Sequence, residues 1–234
     1  MYCDVGFPTL IDCTFSKNSG GGISAWESEL TLINCKFIKN SAADYGAGIY
    51  SDDTDITLAN CTFSGNSAGK SGGGIFNNDD SILTNCILWS DIPNEITEVS
   101  QDYTRIVTYS DVQGGWHGEG NIDADPLFAD PNNNDYHLKS QAGCWDVNEG
   151  RWTKDDMTSP CIDTGDPHSP IGLEPFPNGG IINMGAYGGT AEASKSYFGE
   201  PVCETIVAGD INGDCIVNLK DFALMASHWL EKQE

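Results

Sequence analysis

One short stretch near the C-terminus has the residue types and spacing of a metal site. The twelve residues from Asp210 to Asp221 place side-chain oxygens at loop positions 1, 3, 5, 9 and 12, with a backbone carbonyl at position 7. Ca²⁺ takes roughly six to eight oxygen ligands, and alternating short carboxylates and amides let a tight loop surround one ion. The sequence therefore predicts a calcium site formed by Asp210, Asn212, Asp214, the Ile216 carbonyl, Asn218 and Asp221.

A helix with one apolar face is predicted after this loop. Its apolar positions recur at helical spacing and are Phe222, Met225, Ala226, Trp229 and Leu230. The loop and helix resemble a single dockerin type I repeat more than a complete EF-hand, because no helical pattern precedes Asp210. That resemblance implies attachment to a cohesin-like or cell-surface protein. The sequence departs from it in having one repeat instead of two, and Cys215 instead of glycine at position 6. The alternative is an acidic turn before a surface helix.

Four of the nine cysteines recur in a repeat. They lie in four similar segments, which are residues 9–15, 31–37, 57–63 and 82–88, and successive cysteines are 22, 26 and 25 residues apart (35−13, 61−35 and 86−61). Glycine-led segments ending in Ile23, Ile49 and Ile75 lie between them, and Asn-Ser recurs at Asn18, Asn40 and Asn66. A period in the low twenties with short β-like runs indicates a solenoid.

The apolar pattern within each repeat predicts a β-helix coil. Leu10 and Cys13 are an odd number of residues apart, so a bend residue must restore the inward phase, and Asp12 or its Asn equivalents tolerate the left-handed region. Two short strands joined by this bend, then a turn and a glycine-led third strand, make one coil. A leucine-rich repeat would need helical spacers, which are missing.

Stacked coils place equivalent residues above one another. We expect internal columns of leucine, cysteine and phenylalanine, with the cysteines reduced because side chains of stacked parallel strands aim poorly for disulfide geometry. An amide ladder is expected at the bend, formed by Asn34, Asn60 and Asn85. Cys203 and Cys215 flank the start of the calcium loop and form either a disulfide or free thiols. Cys144 and Cys161 have the same two alternatives, and Cys3 has no evident partner.

The coils resemble the parallel β-helix repeats of pectate-lyase-like and polymorphic-outer-membrane-type proteins. The segments 159–167 and 182–187 resemble the closing part of bacterial, planctomycete-like surface β-helix proteins. The expected fold class is therefore all-β, a right-handed parallel β-helix with a short C-terminal calcium loop–helix module. The expected domains are regular coils over residues 1–88, irregular coils and end-covering loops over 89–198, and the dockerin-like module over 199–234.

Composition narrows the class of partner. The chain has 11 basic and 35 acidic residues, a net charge of −24, which repels phosphate backbones and anionic membranes. No apolar run approaches the roughly 20 residues of a membrane span. We therefore expect no nucleic-acid partner and no membrane span, and a secreted or cell-surface monomer that binds a polysaccharide or a surface protein. Met1 is followed directly by a coil-like segment, so further coils are expected before it in the full protein.

The resemblance leaves the question of catalysis open. A polysaccharide lyase needs a base and a glycosidase needs two carboxylates about 5–9.5 Å apart, and acids are plentiful here. The scarce base candidates, Arg105 and Arg151, lie outside the regular coils, and Lys36 and Lys39 are expected to be solvated. We expect a non-catalytic piece, with part of a lyase or glycosidase as the alternative.

Two surface features have alternative interpretations. Acids recur in the turn expected after each glycine-led strand, and they are either solvated, a second calcium site, or a site for a cationic or hydroxyl-rich partner. They are Glu27, Asp53 and Asp79 in one column and Glu29, Asp55 and Asp80 in another. Trp116, Trp145 and Trp152 either pack long loops or stack on sugars.

Overall fold

The cysteine repeat corresponds to stacked coils of parallel β-structure. The computed structural model describes residues 1–98 and 103–197, together with Val217, Leu219 and Phe222. Three parallel sheets run along the stack, and the strands of each sheet pair with the equivalent strands of neighbouring coils. The predicted parallel β-solenoid is confirmed for these coils.

The sheets divide each coil into consecutive sides. The eight strands of sheet 1 are Tyr2–Gly6, Thr9–Ile11, Ile23–Ile33, Ile49–Ala59, Ile75–Asn77, Ser81–Thr84, Ile96–Glu98 and Arg105–Thr108. The five strands of sheet 2 are Thr14–Ser16, Lys36–Ile38, Thr62–Ser64, Ile87–Trp89 and Asp111–Val112. Sheet 3 contains only Ser41–Ala42 and Ser67–Ala68.

The interior consists of the predicted columns. Leu32 is in register with Leu58, and Phe37 is in register with Phe63. The phenylalanine rings are stacked, with centroids 5.0 Å apart between Phe15 and Phe37 and 4.6 Å apart between Phe37 and Phe63. The same buried core contains Cys35, Ile49, Cys61, Leu83, Cys86 and Leu88. Burial of these apolar columns holds each coil to the next.

The predicted bend residues adopt the left-handed conformation. The φ angles of Asp12, Asn34, Asn60 and Asn85 are 55°, 52°, 50° and 56°. Asn and Asp tolerate this region because their short side chains can hydrogen-bond locally. The bend separates sheet 1 from sheet 2 and restores the inward direction of the next side chain, as the odd spacing in the repeat requires.

The last glycine of the first two glycine motifs leaves room for the phenylalanine column, whereas a Cβ on Gly74 would meet the Glu95 carbonyl and the Asp91 carboxylate. A Cβ atom on Gly48 would lie 2.4 Å from the Gly74 carbonyl oxygen and 2.8 Å from Cδ1 of Phe63. Gly22 faces the equivalent ring of Phe37 at 2.9 Å. The motif is therefore a packing requirement of the stacked rings.

One detail of the coil differs from the expectation. The glycine-led strand and the Thr-Leu-Ile strand were expected to be separated by a turn, but in two coils they form single strands of 11 residues, Ile23–Ile33 and Ile49–Ala59. Glu27 and Asp53, at φ 45° and 47°, kink these strands without ending them. Pairing continues on both sides of the kink, because one left-handed residue shifts the phase while its neighbours stay in register.

The main side-chain ladder is not the one expected. Asn85 donates to the Asn60 side chain at 3.3 Å, but Asn34 and Asn60 donate mainly to backbone carbonyls of a later segment. A continuous ladder forms instead from the Asn-Ser element and ends in an acid. Its three Nδ2–Oδ1 distances are 2.8 Å for Asn18–Asn40, 2.9 Å for Asn40–Asn66 and 2.8 Å for Asn66–Asp91.

The segment after the coils lies against the outside of the stack. It contains two antiparallel hairpins, Phe128–Asp130 with Asp135–Leu138 and Cys144–Asp146 with Arg151–Thr153, and a 3₁₀ turn at Pro131–Asn133. Asn34 Nδ2 donates to the Ala186 and Gly188 carbonyls at 3.1 and 2.8 Å, and the Ala186 amide donates to Thr62 Oγ1 at 2.9 Å. We expected these loops to cover the open end, but residues 128–197 largely cover the side at sheet 2.

The end of the stack is covered by a shorter loop. Trp116 packs against the inner core, and the Val112 amide donates to the Ile122 carbonyl at 3.0 Å. Trp145 and Trp152 pack edge to face against each other, with centroids 5.3 Å apart. All three tryptophans therefore make packing contacts.

Within the described residues, no helix has the length and apolar character needed to cross a bilayer.

Candidate functional site

The predicted calcium ligands lie outside the described residues. These are Asp210, Asn212, Asp214, Ile216, Asn218 and Asp221, and Cys203 and Cys215 lie there too. The calcium site and the proposed Cys203–Cys215 bridge therefore stay predictions. In the described part of the chain, no three His, Cys, Asp or Glu side chains are grouped so that they could hold a metal.

The second column of acids lies on sheet 1 as expected. Glu29 is in register with Asp55, and the Ile56 amide donates to the Asp80 carbonyl one coil further on. Partial desolvation and the charges of Asp79, Asp80 and Glu29 raise the pKa of Asp55. The Thr104 amide donates to the Asp80 carboxylate at 2.6 Å. These are surface carboxylates that repel one another, and no cation-holding group of three is formed here.

The cysteine thiols are free in the described residues. Seven cysteines are unpaired, and Cys35, Cys61 and Cys86 are fully buried in the core. The Cys61 thiol donates to the Ala59 carbonyl at 3.4 Å, and burial raises its pKa well above the usual value. Cys161 donates to Asp111 Oδ2 at 3.1 Å instead of bonding to Cys144. Cys61 and Cys161 are structural, because a buried thiol with a raised pKa is a poor nucleophile, whereas the hydrogen bond with Cys61 lowers the pKa of Cys35 to about 7.

Two carboxyl groups adjoin at the acidic end of the Asn ladder. Asp91 Oδ1 accepts hydrogen bonds from the Asn66 amide at 2.5 Å and from Asn66 Nδ2 at 2.8 Å, and Glu95 Oε1 accepts from the Asp91 amide at 3.1 Å. The second oxygen of each carboxyl, Asp91 Oδ2 and Glu95 Oε2, is buried and accepts no hydrogen bond from an N–H or hydroxyl group of the described residues.

Burial keeps this pair protonated to unusually high pH. It raises the pKa of Asp91 well above the usual value, with the charge of Glu95 adding to the effect, and it raises the pKa of Glu95 to about 7. The hydrogen bond between the two side chains requires a proton on one of the carboxyls, which fits these raised pKa values. The groups are in contact, so the separation of about 5–9.5 Å needed by a glycosidase is absent from this pair.

A second cluster of ionisable groups joins sheet 2 to the later segment. Lys36 Nζ lies 2.9 Å from the Tyr187 hydroxyl and 4.3 Å from the centre of its ring. Desolvation lowers the pKa of Lys36, although the charges of Glu192, Asp135 and Asp12 oppose that shift. The expectation that Lys36 is solvated was wrong, because residues 184–187 cover the outer face of its strand.

His137 continues this cluster. It is fully buried, its ring stacks on Tyr187 with centroids 3.6 Å apart, and Nδ1 lies 2.6 Å from Asp135 Oδ1. Burial alone would raise the pKa of Asp135, but the hydrogen bonds from His137 outweigh it and lower that pKa. Burial and the neighbouring acids raise the pKa of Tyr187, so its hydroxyl stays protonated at neutral pH.

The surroundings of the cluster favour a structural role. Asp12, Asp135 and Glu192 make it acidic, so a polyanionic substrate is repelled there. The two arginines are occupied as well: Arg105 Nη2 donates to the Asn77 carbonyl at 3.0 Å, and Arg151 pairs with Glu149. The contacts hold this later segment against the coils, and the pocket that Lys36 lines also contains the acids Asp12 and Glu192.

Comparison with known families supports the coil architecture. Residues 2–106 match the family model described as Right handed beta helix region, and residues 95–165 match the one described as Disaggregatase related. No curated protein and no solved structure matched the chain. The matched coils are those in which the leucine, cysteine and phenylalanine columns are stacked. Residues 2–106 are thus similar to right-handed β-helix regions, and the described coils form a parallel β-solenoid.

Proposed function

We propose that this chain is an extracellular or cell-surface β-helix element without catalytic activity. In this proposal the tail over residues 199–234 binds Ca²⁺ and serves attachment or stability. The observation that carries it is the ligand pattern from Asp210 to Asp221, with oxygens at the positions that a tight calcium loop uses. The dockerin-like and pectate-lyase-like relationships remain part of the same proposal.

The described coils suit a scaffold. Their interior is filled by apolar columns, and the outer face of sheet 2 is covered by residues 128–197. The most chemically varied cluster joins Lys36 of sheet 2 to Tyr187 of the later segment, on which His137 stacks. Such side chains stabilise the solenoid, and the faces that the later segment leaves uncovered remain available to a partner.

Charge gives the physical reason for a metal in the tail. Asp210, Asp214 and Asp221 bring three carboxylates into twelve residues, where they repel one another without a cation. Coordination converts that repulsion into attraction, and binding to the folded loop stabilises it by mass action.

Calorimetry with Ca²⁺ on the whole chain tests the proposal. We expect one class of binding site in the native protein, a large loss of affinity in Asp210→Ala, and unchanged binding in the matched control Asp53→Ala on an exposed kink. Absence of binding heat, or equal binding by Asp210→Ala, would contradict the calcium site.

The absence of catalysis is tested separately. Incubation with pectin, alginate and other common polysaccharides should release no product. Product that forms with the native chain and disappears in Lys36→Gln or Arg105→Gln would overturn the non-catalytic assignment and favour a lyase.

A further inference from the structure

A cleft lies between the coil bend that follows each strand of sheet 2, at Lys39, Gly65 and Ser90, and the hairpin over residues 128–138. Its volume is about 400 Å³, within the usual range of roughly 300–1,000 Å³ for small-molecule sites. We call it the lysine cleft, because Lys39 and Lys139 both line it, together with Trp89 and Tyr136. Neither the sequence patterns nor the family matches point to it.

The cleft exists because the side chains at one bend are small in two later coils and long in the two coils before them. The equivalent positions are Lys17, Lys39, Gly65 and Ser90, all with positive φ. A Cβ on Gly65 would meet Lys39 Cγ at 3.3 Å, so the missing side chain leaves Lys39 free to lie along the cleft. The hairpin forms the opposite wall, and Lys39 Nζ donates to the Pro131 carbonyl at 2.7 Å.

The charge of the cleft is opposite to that of the molecule. Two of the 11 basic residues of a chain with net charge −24 line this one space, with Asp125 as the acid. One hydrogen of the Lys39 ammonium is used on Pro131, and its others remain for a ligand. Two ammonium groups in one cleft attract a single anionic group, whereas the acidic remainder of the surface repels long polyanions.

The rest of the lining suits a sugar ring. Trp89 is half-buried and offers apolar surface, while Ser64, Ser90 and Asn132 supply hydrogen-bonding groups. A pyranose has an apolar face for an aromatic ring and hydroxyl groups for polar neighbours. We propose that the lysine cleft binds a sugar unit carrying one anionic group, a carboxylate or a sulfate ester, held by Lys39 and Lys139 with its ring on Trp89.

Calorimetric titration of the whole chain with four probes tests this binding. The probes are a digalacturonate, a sulfated galactose disaccharide, the neutral galactose disaccharide, and inorganic sulfate with acetate. We expect binding of at least one of the two charged disaccharides, at least tenfold tighter than the neutral one. The charged disaccharide that binds identifies the source of the anionic group. Binding of neither, equal binding of the neutral sugar, or equal binding of the free anions overturns the proposal.

Substitutions then assign the site. Lys39→Gln and Lys139→Gln should each weaken binding about tenfold, because each removes a charged hydrogen-bond donor. Lys17→Gln is the matched control, at the same bend of an earlier coil and outside the cleft. Asp125→Asn should tighten binding severalfold, since it removes a repulsive charge but keeps the oxygen that accepts from the Leu127 amide. An equal loss in Lys17→Gln, or no change in either cleft lysine variant, overturns the assignment. The cleft shares no residue with the calcium loop, so the two proposals can fail separately.

Discussion

Replacement of Asp91 by asparagine should make the protein less sensitive to pH. Asp91 occupies the ladder position that is asparagine in the coils before it, at Asn40 and Asn66. The asparagine amide keeps the oxygen that accepts from Asn66 and supplies a permanent donor towards Glu95. It therefore mimics the protonated form of Asp91, which burial favours in the native state.

The size of the effect follows from proton linkage. Unfolded Asp91 loses its proton near the ordinary aspartate pKa of 3.8, whereas burial raises the pKa of native Asp91 well above that value. Folding therefore takes up a proton over this range, so the stability contribution is complete below pH 3.8 and is lost as pH rises. The loss is about 1.4 kcal/mol for each pH unit over which native Asp91 stays protonated while the unfolded side chain is ionised.

The variant should remove the part of the pH dependence of stability that comes from Asp91 and leave the part that comes from other buried acids. Burial also raises the pKa of Glu95 to about 7, of Glu174 to about 7 and of Asp111 to about 6. These groups continue to lower stability as pH rises towards those values. The advantage of Asp91→Asn over the native chain should therefore grow as pH rises from 5 to 7, by up to about 1.4 kcal/mol per pH unit, on top of a common downward slope.

Urea denaturation followed by tryptophan fluorescence at pH 5, 6 and 7 measures this difference. Asp53→Asn makes the same chemical change on an exposed kink and should follow the native curve at each pH. Parallel curves for Asp91→Asn and the native chain would refute the buried-proton account. So would an equal pH-dependent gain in Asp53→Asn.

Three further predictions concern the coils. Gly48→Ala should lower the free energy of unfolding by about 1–3 kcal/mol in chemical denaturation, because the new methyl group meets the Phe63 ring and a backbone oxygen. The control Gly20→Ala, with open space around the added methyl group, should change that free energy by less than about 0.5 kcal/mol. Asn66→Ala should lower the free energy of unfolding by about 3 kcal/mol, since it leaves several buried ladder groups without partners. Asn18→Ala, at the exposed end of the ladder, should lower it much less, and equal losses would contradict the ladder's role. Mass spectrometry under non-reducing conditions should find no disulfide within the cysteine column of Cys13, Cys35, Cys61 and Cys86. A native disulfide there would disprove the packing of these residues as free thiols.

The coil architecture could be predicted because its information is local and repeated. The odd spacing between Leu10 and Cys13 required a left-handed bend, and the bend is present at Asp12 and its equivalents. The inward positions of leucine, cysteine and phenylalanine followed from the same spacing. Each coil buries the same face against its neighbours, so one pattern specifies all of the stacked strands.

Candidate site residues were harder to predict, because several depend on distant contacts. Lys36 was expected to be solvated, yet Tyr187 covers it from 151 residues away. The Asn-Ser element was visible in the sequence, but its role as a buried ladder ending in Asp91 depends on how four coils align. The signal that could have revealed it was the recurrence of an amide at the same point of each coil.

The sequence by itself determined the repeat, the phase of each strand, the left-handed bends and the apolar columns, and it predicts the calcium loop. Only the tertiary structure decided that residues 128–197 lie along sheet 2, that Asp91 and Glu95 adjoin, and that Lys39 and Lys139 line one cleft. The physical reason is the range of the interactions. Backbone bends and inward side chains are set by neighbours in the chain, whereas a non-repeating segment is positioned by single contacts such as Asn34 with Ala186, 152 residues apart, which leave no period in the sequence.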